Sequence, residues 1–221
     1  MKTVVYGATR NIYKSLIPCV NSLVQNGNVD EIILLIEDDR LPFDLKGNIS
    51  CIDVSNQKWF DPKGANASKR WTYMTMMKCC LTKLLPEYER IVFLDCDTIV
   101  LHDLSELFEM DMTGKWYGLV PQDTDGRDGR FTKGTYYNCG VLVANLKEVN
   151  EDILIHALQT KGYEFPEQDC INELCQGKIL PLKGRWNRSP YTINDTELYI
   201  RHYAANPKWY ELPEARNYGQ L

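Results

Sequence analysis

The sequence lacks three features that would each assign it to a familiar class of protein. Its eight cysteines include no Cys-x-x-Cys pair, which argues against a zinc ribbon or a thioredoxin-type redox motif. It has no apolar run of the ~18 residues that a membrane-spanning helix needs. No signal peptide is recognisable at the N-terminus, so we predict a cytoplasmic protein whose cysteines are reduced and packed as small hydrophobic side chains.

An excess of basic residues is also missing. The chain has 25 Lys and Arg against 30 Asp and Glu, which gives a formal net charge of -5. Proteins that bind nucleic acid or anionic membrane without sequence or lipid specificity favour a basic surface. The balance of charge therefore predicts neither nucleic acid nor a membrane surface as a partner.

Internal repeats and linker-like segments are absent as well. A chain of 221 residues can bury a sizeable core, and its fractions of hydrophobic (44%) and charged (25%) residues are those of an ordinary globular protein. We therefore predict a single domain that spans residues 1–221.

Apolar segments of strand type and of helix type alternate along the chain. Strands are predicted at residues 2–9, 31–38, 48–54, 90–95, 116–123 and 136–146. Helices are predicted at residues 11–27, about 69–85, 104–108, 147–162 and 167–177, and residues 182–221 are predicted to be irregular. Because the strands are nearly continuous apolar runs that alternate with helices, we predict an α/β fold with a mainly parallel central sheet flanked by helices.

In such sheets, ligands bind beyond the carboxyl ends of the strands. The segment after Val5, the segment after Leu94 and the segment before Cys139 are therefore candidate walls of one site. Two carboxylates, Asp95 and Asp97, lie at one of these ends. In this Asp-x-Asp spacing they can share one divalent cation, and their hard oxygen ligands favour Mg²⁺ or Mn²⁺.

A purely structural interpretation of the two carboxylates stays open: Asp97 can cap the following turn while Asp95 pairs with a basic side chain. Burying an uncompensated acid is costly, however, so the apolar strand before them favours a bound cation. Near the C-terminus, His202 is a candidate third metal ligand and Lys208 a candidate phosphate-binding charge. Each also has a structural alternative, as a hydrogen-bonded histidine and as a solvated lysine beside Trp209.

Five segments resemble, in order, the motifs of glycosyltransferase family 8, whose members are retaining enzymes that use nucleotide sugars. They are VVYGATRNIYKSLIPCVNSL, MKCCLTKLLPEYERIVFLDCDTIV, YYNCGVLVANL, EQDCINEL and HYAANPKW. The resemblance implies a GT-A type fold, with a nucleotide-sugar-binding half at about residues 1–100 and an acceptor-side half at about residues 101–221. It further implies transfer of a hexose, glucose or galactose, from a UDP-sugar to a saccharide or other hydroxyl acceptor.

The resemblance also assigns roles to individual residues. It implies that the metal, Mn²⁺ or alternatively Mg²⁺, is bound by Asp95, Asp97 and His202. The residues that would contact the nucleoside and the diphosphate are Ala8, Thr9, Tyr13, Asp97, Ala205 and Lys208. Those that would surround the transferred sugar are Lys78, Asn138, Glu167 and Gln168.

Retention of configuration raises the question of a nucleophile, because the usual double displacement needs a carboxylate close to the anomeric carbon. The sequence offers no compelling one, so we expect a front-face mechanism in which the departing phosphate takes the proton of the acceptor. Glu167 and Asp123 are the acids to test otherwise. The charged segment Asp123–Lys133 is a candidate lid over the donor or, alternatively, a solvated loop.

The chain departs from the family pattern at several positions. Ala205 replaces a glycine that lies close to the phosphates, and Arg10 occupies a position in the first loop where an uncharged polar residue or aspartate is common. Two other functions remain open. One is a nucleotidyltransferase that makes nucleotide sugars, although the first loop, YGATRN, has few of the glycines typical of that class. The other is an inactive family member that binds glycans.

Overall fold

A seven-stranded sheet runs through the centre of the structure. The computed structural model describes residues 1–68, 71–122, 134–192, 196–206 and 208–219. The strands are β1 (Thr3–Gly7), β2 (Glu31–Ile36), β3 (Ile49–Asp53), β4 (Arg90–Leu94), β5 (Thr98–Val100), β6 (Tyr117–Pro121), β7 (Tyr137–Asn145), β8 (Ile179–Pro181) and β9 (Ile200–His202). The helices are α1 (Leu16–Asn26), α2 (Tyr73–Met76), α3 (Leu81–Leu84), α4 (Ser105–Glu109), α5 (Glu151–Thr160), α6 (Pro166–Leu174) and α7 (Pro213–Arg216). Of the helices in this described part, none has the length and apolar character that crossing a bilayer requires.

The strand order confirms the predicted α/β fold with a mainly parallel central sheet. In the large sheet the order is β3-β2-β1-β4-β7-β6-β8, while β5 and β9 form a separate two-stranded sheet. The first four strands are mutually parallel, β7 is antiparallel to both β4 and β6, and β8 is parallel to β6. The carboxyl ends of β1, β2 and β4 therefore lie at one edge of the sheet, as the sequence predicts.

Two hydrophobic clusters cover the two faces of the sheet. Val4 of β1 belongs to the cluster that contains Leu16 of α1, and its neighbour Val5 belongs to the opposite cluster, which contains Leu154 of α5. Successive residues of a strand point to opposite faces. A strand covered on both faces must therefore be apolar at every position, which explains the continuous apolar runs of the sequence.

The single helix predicted over residues 69–85 is wrong. In the described part of this segment, α2 and α3 are joined by a 3₁₀ turn, Met77–Cys79, and Cys80 leaves the helical conformation with φ −138° and ψ 29°. Glu151 of α5 satisfies the start of α3: its carboxylate accepts hydrogen bonds from the Thr82 backbone N–H at 2.8 Å and from the Thr82 hydroxyl. A contact from a distant helix thus replaces part of the intrahelical hydrogen bonding.

Burial of Glu151 makes the stability of the protein depend on pH. The residue is 2% exposed, and burial raises the pKa of its carboxyl to about 7, against the lowering effect of the Thr82 hydrogen bonds. A carboxyl whose pKa is higher in the folded than in the unfolded state takes up a proton on folding. Its contribution to stability is therefore complete below the unfolded pKa and is lost as pH rises through about 7.

We expect Glu151→Gln to remove this loss. Between about pH 4 and about pH 8, the unfolding free energy of the unmutated protein should fall by up to about 3 kcal/mol more than that of the variant. Urea unfolding at the two pH values measures the difference. Glu148→Gln is the control, because Glu148 is an exposed glutamate just before the same helix. Equal pH dependence of the two variants would contradict the assignment.

The two-stranded sheet of β5 and β9 brings the C-terminal part of the chain against the end of β4. Its register pairs Thr98 with His202 and Val100 with Ile200. The pairing extends at both ends, since the Leu101 N–H donates to the Tyr199 carbonyl at 2.8 Å and the Tyr203 N–H to the Asp97 carbonyl at 2.9 Å. The prediction that residues 182–221 are irregular is wrong for β9 and α7, which are too short to show a hydrophobic period.

Candidate functional site

Asp95 and Asp97 occupy the turn that connects β4 to β5. The Asp95 N–H donates to the Gly140 carbonyl of β7 at 2.8 Å, which holds the start of the turn on the large sheet. The Thr98 hydroxyl donates to the Asp95 carbonyl at 2.8 Å, and the Cys96 thiol donates to the Gly7 carbonyl at 2.9 Å. Cys96 is thereby turned into the core, while the aspartate on either side of it stays partly exposed.

The β5–β9 pairing places His202 beside these two carboxylates. Its Nε2 atom lies 3.1 Å from Asp97 Oδ1 and 3.9 Å from Asp95 Oδ2. One ligand atom from each of the three residues lies within 4.8 Å of the other two. The structure therefore brings together the three predicted metal ligands, which come from two distant parts of the chain.

The chemistry of this cluster fits a divalent cation. Two carboxylates and one imidazole suit Mn²⁺ or Mg²⁺, and the nitrogen ligand moves the preference toward Mn²⁺. Asp97 Oδ1 is buried and lies 3.1 Å from His202 Nε2, without the geometry of a hydrogen bond to any described residue. Because burying a carboxylate oxygen is costly, a cation held between the Asp97 oxygen and the His202 nitrogen would satisfy it.

The charges of the cluster are mutually stabilising in the absence of a cation. Burial raises the pKa of Asp97, but the positive charges of His202 and Lys78 outweigh this effect and hold the pKa below its ordinary value. Burial lowers the pKa of His202, but the charges of Asp97 and Asp95 outweigh that effect and raise it. The site thus favours carboxylates beside a positive charge.

Lys78 forms ion pairs with one residue of the metal-ligand cluster, Asp95, and with one residue of α6, Glu167. Its Nζ atom is 2.6 Å from Asp95 Oδ1 and 3.2 Å from Glu167 Oε1, and the side chain is 2% exposed. Burial lowers the pKa of Lys78, but the carboxylates of Asp95 and Glu167 outweigh it and hold the pKa above its ordinary value. The buried lysine is therefore charged and neutralises two acids at once.

Asn138 and Gln168, both predicted to lie near the sugar, hold the start of β7 in the structure. Gln168 Oε1 accepts a hydrogen bond from the Cys139 N–H at 3.1 Å, and its Nε2 donates to the Tyr136 hydroxyl at 3.0 Å. Asn138 Nδ2 donates to Gln122 Oε1 at 3.0 Å. These contacts hold both amides near the start of β7. Their contact with a sugar stays a prediction.

The loop after β1, predicted to contact the nucleoside, is bound to the end of β2. Tyr13 accepts a hydrogen bond from the Glu37 N–H at 2.8 Å and donates one to Asp38 Oδ2 at 2.9 Å. Arg10 binds both carboxylate oxygens of Asp38. Ala8 and Thr9 are buried at the tip of β1. The sequence interpretation missed the roles of Glu37 and Asp38, although both follow an apolar strand as Asp95 does.

An open cavity of about 570 Å³ adjoins this loop. It is lined by Arg10, Tyr13, Asp38, Asp39, Arg40, Leu41 and Pro42. The cavity lies at the carboxyl edge of the sheet, where α/β proteins bind ligands. The position of Arg10, a departure from the family pattern, is explained by its ion pair with Asp38.

The loop after β9 contains the two predicted diphosphate contacts. Ala205 has φ +65°, a left-handed conformation that glycine adopts without cost and alanine does not. This conformation explains why glycine is expected at this position, and the alanine adopts it at a steric cost. Trp209 is buried and stacks on Tyr203 at 5.4 Å between ring centroids. Lys208, next to this anchor, is exposed to solvent.

Asp123 and the whole of the candidate lid, residues 123–133, lie outside the described residues. Two residues contact His202 in a way that the sequence did not predict, Gly140 and Asn187. A Cβ atom at Gly140 would lie 2.1 Å from Cε1 of the imidazole. Asn187 Oδ1 lies 2.8 Å from His202 Nδ1. The glycine belongs to a motif segment, but nothing in the sequence indicates which distant side chain it meets.

Comparisons with known proteins identify the family of the chain. The family model described as glycosyl transferase family 8 matches residues 3–208. A putative glycosyltransferase of Haemophilus influenzae is 26% identical over 130 residues, which cover 52% of this chain and 39% of that protein. A lipopolysaccharide 1,2-glucosyltransferase of Escherichia coli is 27% identical over 154 residues, covering 56% of this chain and 45% of the relative. The chain thus spans less than half the length of these curated relatives.

Solved structures show the same fold. The galactosyltransferase LgtC, determined with donor and acceptor sugar analogues, superimposes with a TM-score of 0.80 at 17% identity, over 98% of this chain and 95% of that one. The glycosyltransferase GlyE of Streptococcus pneumoniae gives a TM-score of 0.71 at 18% identity, over 100% of this chain and 60% of that one. These likenesses confirm the predicted GT-A type fold. The family match extends over nearly the whole sequence, and the chain belongs to glycosyl transferase family 8.

Proposed function

We propose that the protein transfers a hexose, glucose or galactose, from a UDP-sugar to a saccharide or other hydroxyl acceptor, with retention of configuration and with Mn²⁺ as the cofactor. The observation that carries this proposal is the convergence of Asp95, Asp97 and His202 at the carboxyl edge of the sheet. Membership in glycosyl transferase family 8 supports it. The division into a donor half, about 1–100, and an acceptor half, about 101–221, remains a prediction.

The metal ion would be held by Asp95, Asp97 and His202. When bound, it would supply positive charge for the two phosphates of the leaving UDP, where negative charge develops during transfer. Lys78 keeps Asp95 in place through its 2.6 Å ion pair and remains charged itself. The protein residues thus orient the ligand set before the donor binds, which lowers the cost of arranging it during the reaction.

The loop after β9 would contact the diphosphate. It begins at Tyr203, whose N–H donates to the Asp97 carbonyl, so it is attached directly to the metal-binding turn. Its exposed lysine, Lys208, is free to turn its ammonium group toward phosphate oxygens as a point charge. The loop after β1 and the adjoining cavity beside Tyr13 would receive the nucleoside.

The sugar would lie between the metal and the start of α6. Glu167 is buried and paired with Lys78 at 3.2 Å, and this ion pair lowers its reactivity as a nucleophile toward the anomeric carbon. The pairing supports a front-face mechanism, in which the leaving phosphate accepts the proton of the acceptor hydroxyl. Gln168 would provide an amide oxygen that eases the positive charge of the sugar at the transition state, and Asn138 would lie near the sugar.

Calorimetric titration with UDP, with and without Mn²⁺, tests the proposal. We expect metal-dependent UDP binding that Asp97→Ala abolishes, because the variant removes one of the three residues of the cluster that could hold the cation. Asp111→Ala is the control, since Asp111 is exposed and accepts a hydrogen bond from the Thr113 N–H at a turn that does not belong to the metal-ligand cluster. Undiminished affinity in Asp97→Ala would remove the metal from the mechanism.

Hydrolysis of the donor then separates an enzyme from an inactive glycan-binding relative. We expect slow release of UDP from UDP-glucose or UDP-galactose in the absence of an acceptor, and a panel of UDP-sugars identifies the donor. Because Asp111→Ala leaves the metal site intact, it should hydrolyse the donor as the unmutated protein does. Binding of UDP without any hydrolysis would favour a binding protein over a transferase.

A further inference from the structure

The imidazole of His202 is enclosed by two neighbours that have no role in the reaction as outlined so far. Gly140 lies against one side of the ring, where a Cβ atom would come within 2.1 Å of Cε1 and 2.5 Å of Nδ1. Asn187 lies at the ring edge opposite the carboxylates, with Oδ1 at 2.8 Å from Nδ1. These two neighbours therefore restrict the ring to one orientation. Of its two nitrogens, Nδ1 already makes a contact with Asn187.

The hydrogen bonds around Asn187 determine which atom of its amide faces the histidine. The backbone N–H of Gly140, which can only donate, points at an Asn138 side-chain atom 2.9 Å away, so that atom is the amide oxygen. The same Asn138 oxygen lies 2.7 Å from one terminal atom of Asn187, which must therefore be the NH₂ group. The other terminal atom of Asn187, the one that contacts His202, is then its oxygen.

An amide oxygen can only accept, so the His202 Nδ1 atom carries a proton. A ring protonated at Nδ1 presents Nε2 as the nitrogen available to a metal. Nε2 is the atom that faces Asp95 and Asp97. The chain of contacts from a backbone N–H through two asparagine side chains thus selects one tautomer of the imidazole.

Backbone pairing keeps Asn187 in register with the histidine. The His202 N–H donates to the Arg188 carbonyl, and the Arg188 N–H donates to the Ile200 carbonyl, both at 2.9 Å. Asn187 is completely buried. A buried polar side chain is expensive unless its hydrogen bonds are made, and here its NH₂ group and its oxygen are both used.

From this geometry we propose that Asn187, oriented by Asn138, is a positioning residue that holds His202 as an Nδ1–H imidazole with Nε2 directed at the metal. The inference rests on the proposed metal-dependent function, whose ligand it orients. Partners of this kind fix the orientation of a metal-binding histidine, and their removal typically weakens metal affinity by about 10–100-fold.

Calorimetric titration of Mn²⁺ in the presence of UDP tests the proposal in three variants. Asn187→Leu keeps the volume of the side chain without an acceptor, and we expect it to lose about 10–100-fold in metal affinity. Asn187→Asp retains an acceptor oxygen for Nδ1–H, and we expect it to recover part of that loss. Asn66→Ala is the matched control, because Asn66 is equally a buried amide with three backbone partners, remote from the site in its contacts.

A second measurement reads the tautomer of the ring at the metal. Long-range ¹H–¹⁵N NMR of the His202 ring with saturating UDP and Mg²⁺, a diamagnetic substitute for Mn²⁺, should show protonated Nδ1 in the unmutated protein and in Asn66→Ala. Asn187→Leu should show a mixture of tautomers or the other one.

Three results would overturn the inference. They are unchanged metal affinity in Asn187→Leu, an equal loss in Asn66→Ala, and an Nε2-protonated ring in the unmutated protein. Failure of the proposed function looks different, because the unmutated protein would then bind no Mn²⁺ with UDP.

Discussion

Replacing Gly140 by alanine is expected to abolish metal-dependent UDP binding while leaving the fold in place. The added methyl group would lie 2.1 Å from Cε1 and 2.8 Å from Nε2 of His202, far inside contact distance. The ring is buried and held by Asn187 on its far edge, so it can relieve the clash only by leaving the carboxylates. If His202 is displaced, the cation loses one of its three protein ligands.

The control for this prediction is Gly118→Ala on the adjacent strand β6. A methyl group there would meet Leu182 Cδ2 and Val143 Cβ, each at 3.2 Å, which is a milder contact with apolar neighbours. We expect this variant to lose about 1–3 kcal/mol of unfolding free energy from overpacking but to bind Mn²⁺ and UDP normally. Normal metal-dependent binding by Gly140→Ala would show that His202 is not a necessary ligand.

Replacing Lys78 by methionine is expected to cost about 3–5 kcal/mol of unfolding free energy, because it leaves two acids without their shared cation. Methionine has nearly the same length, so the variant removes the charge with little change in volume. Asp95 and Glu167, 2.6 and 3.2 Å from the ammonium group in the structure, would then repel each other. Urea unfolding without metal measures the loss.

Two further measurements make this second prediction specific. Saturating Mn²⁺ should restore part of the stability of Lys78→Met, because the dication supplies positive charge beside Asp95 and binds only the folded state. Lys83→Met is the control: its ion pair with Asp152 is exposed on both sides, so we expect a change within about 0.5 kcal/mol. A loss in Lys78→Met no larger than in Lys83→Met would contradict the buried-charge argument.

The sequence predicted those parts of the structure whose signal is local. Continuous apolar runs identified the central strands because a sheet covered on both faces needs such residues at every position. The position of Asp95 and Asp97 after one of these runs identified the edge of the sheet that carries the site. The family motifs supplied His202, whose strand has only three residues and therefore no hydrophobic period of its own.

The parts that could not be predicted depend on contacts between residues far apart in the chain. The break between α2 and α3 is stabilised by Glu151, which lies on a different helix. The amide of Asn187 is oriented by its hydrogen bond to Asn138, and the backbone pairing of Arg188 with β9 places it beside His202. Position 140 has no room for a side chain because the His202 imidazole, from the C-terminal part of the chain, packs against it. No hydrophobic period, helix cap or charge pattern in the sequence indicates such contacts between distant residues.

The antiparallel pairing of β5 with β9 has a consequence for the order in which activity can arise during translation. Asp95 and Asp97 leave the ribosome long before His202, and β5 has no other partner strand in the described structure. A nascent polypeptide that ends before Ile200 therefore carries the acidic turn without its imidazole. The three candidate metal ligands can therefore come together only after β9 has been synthesised and has paired with β5.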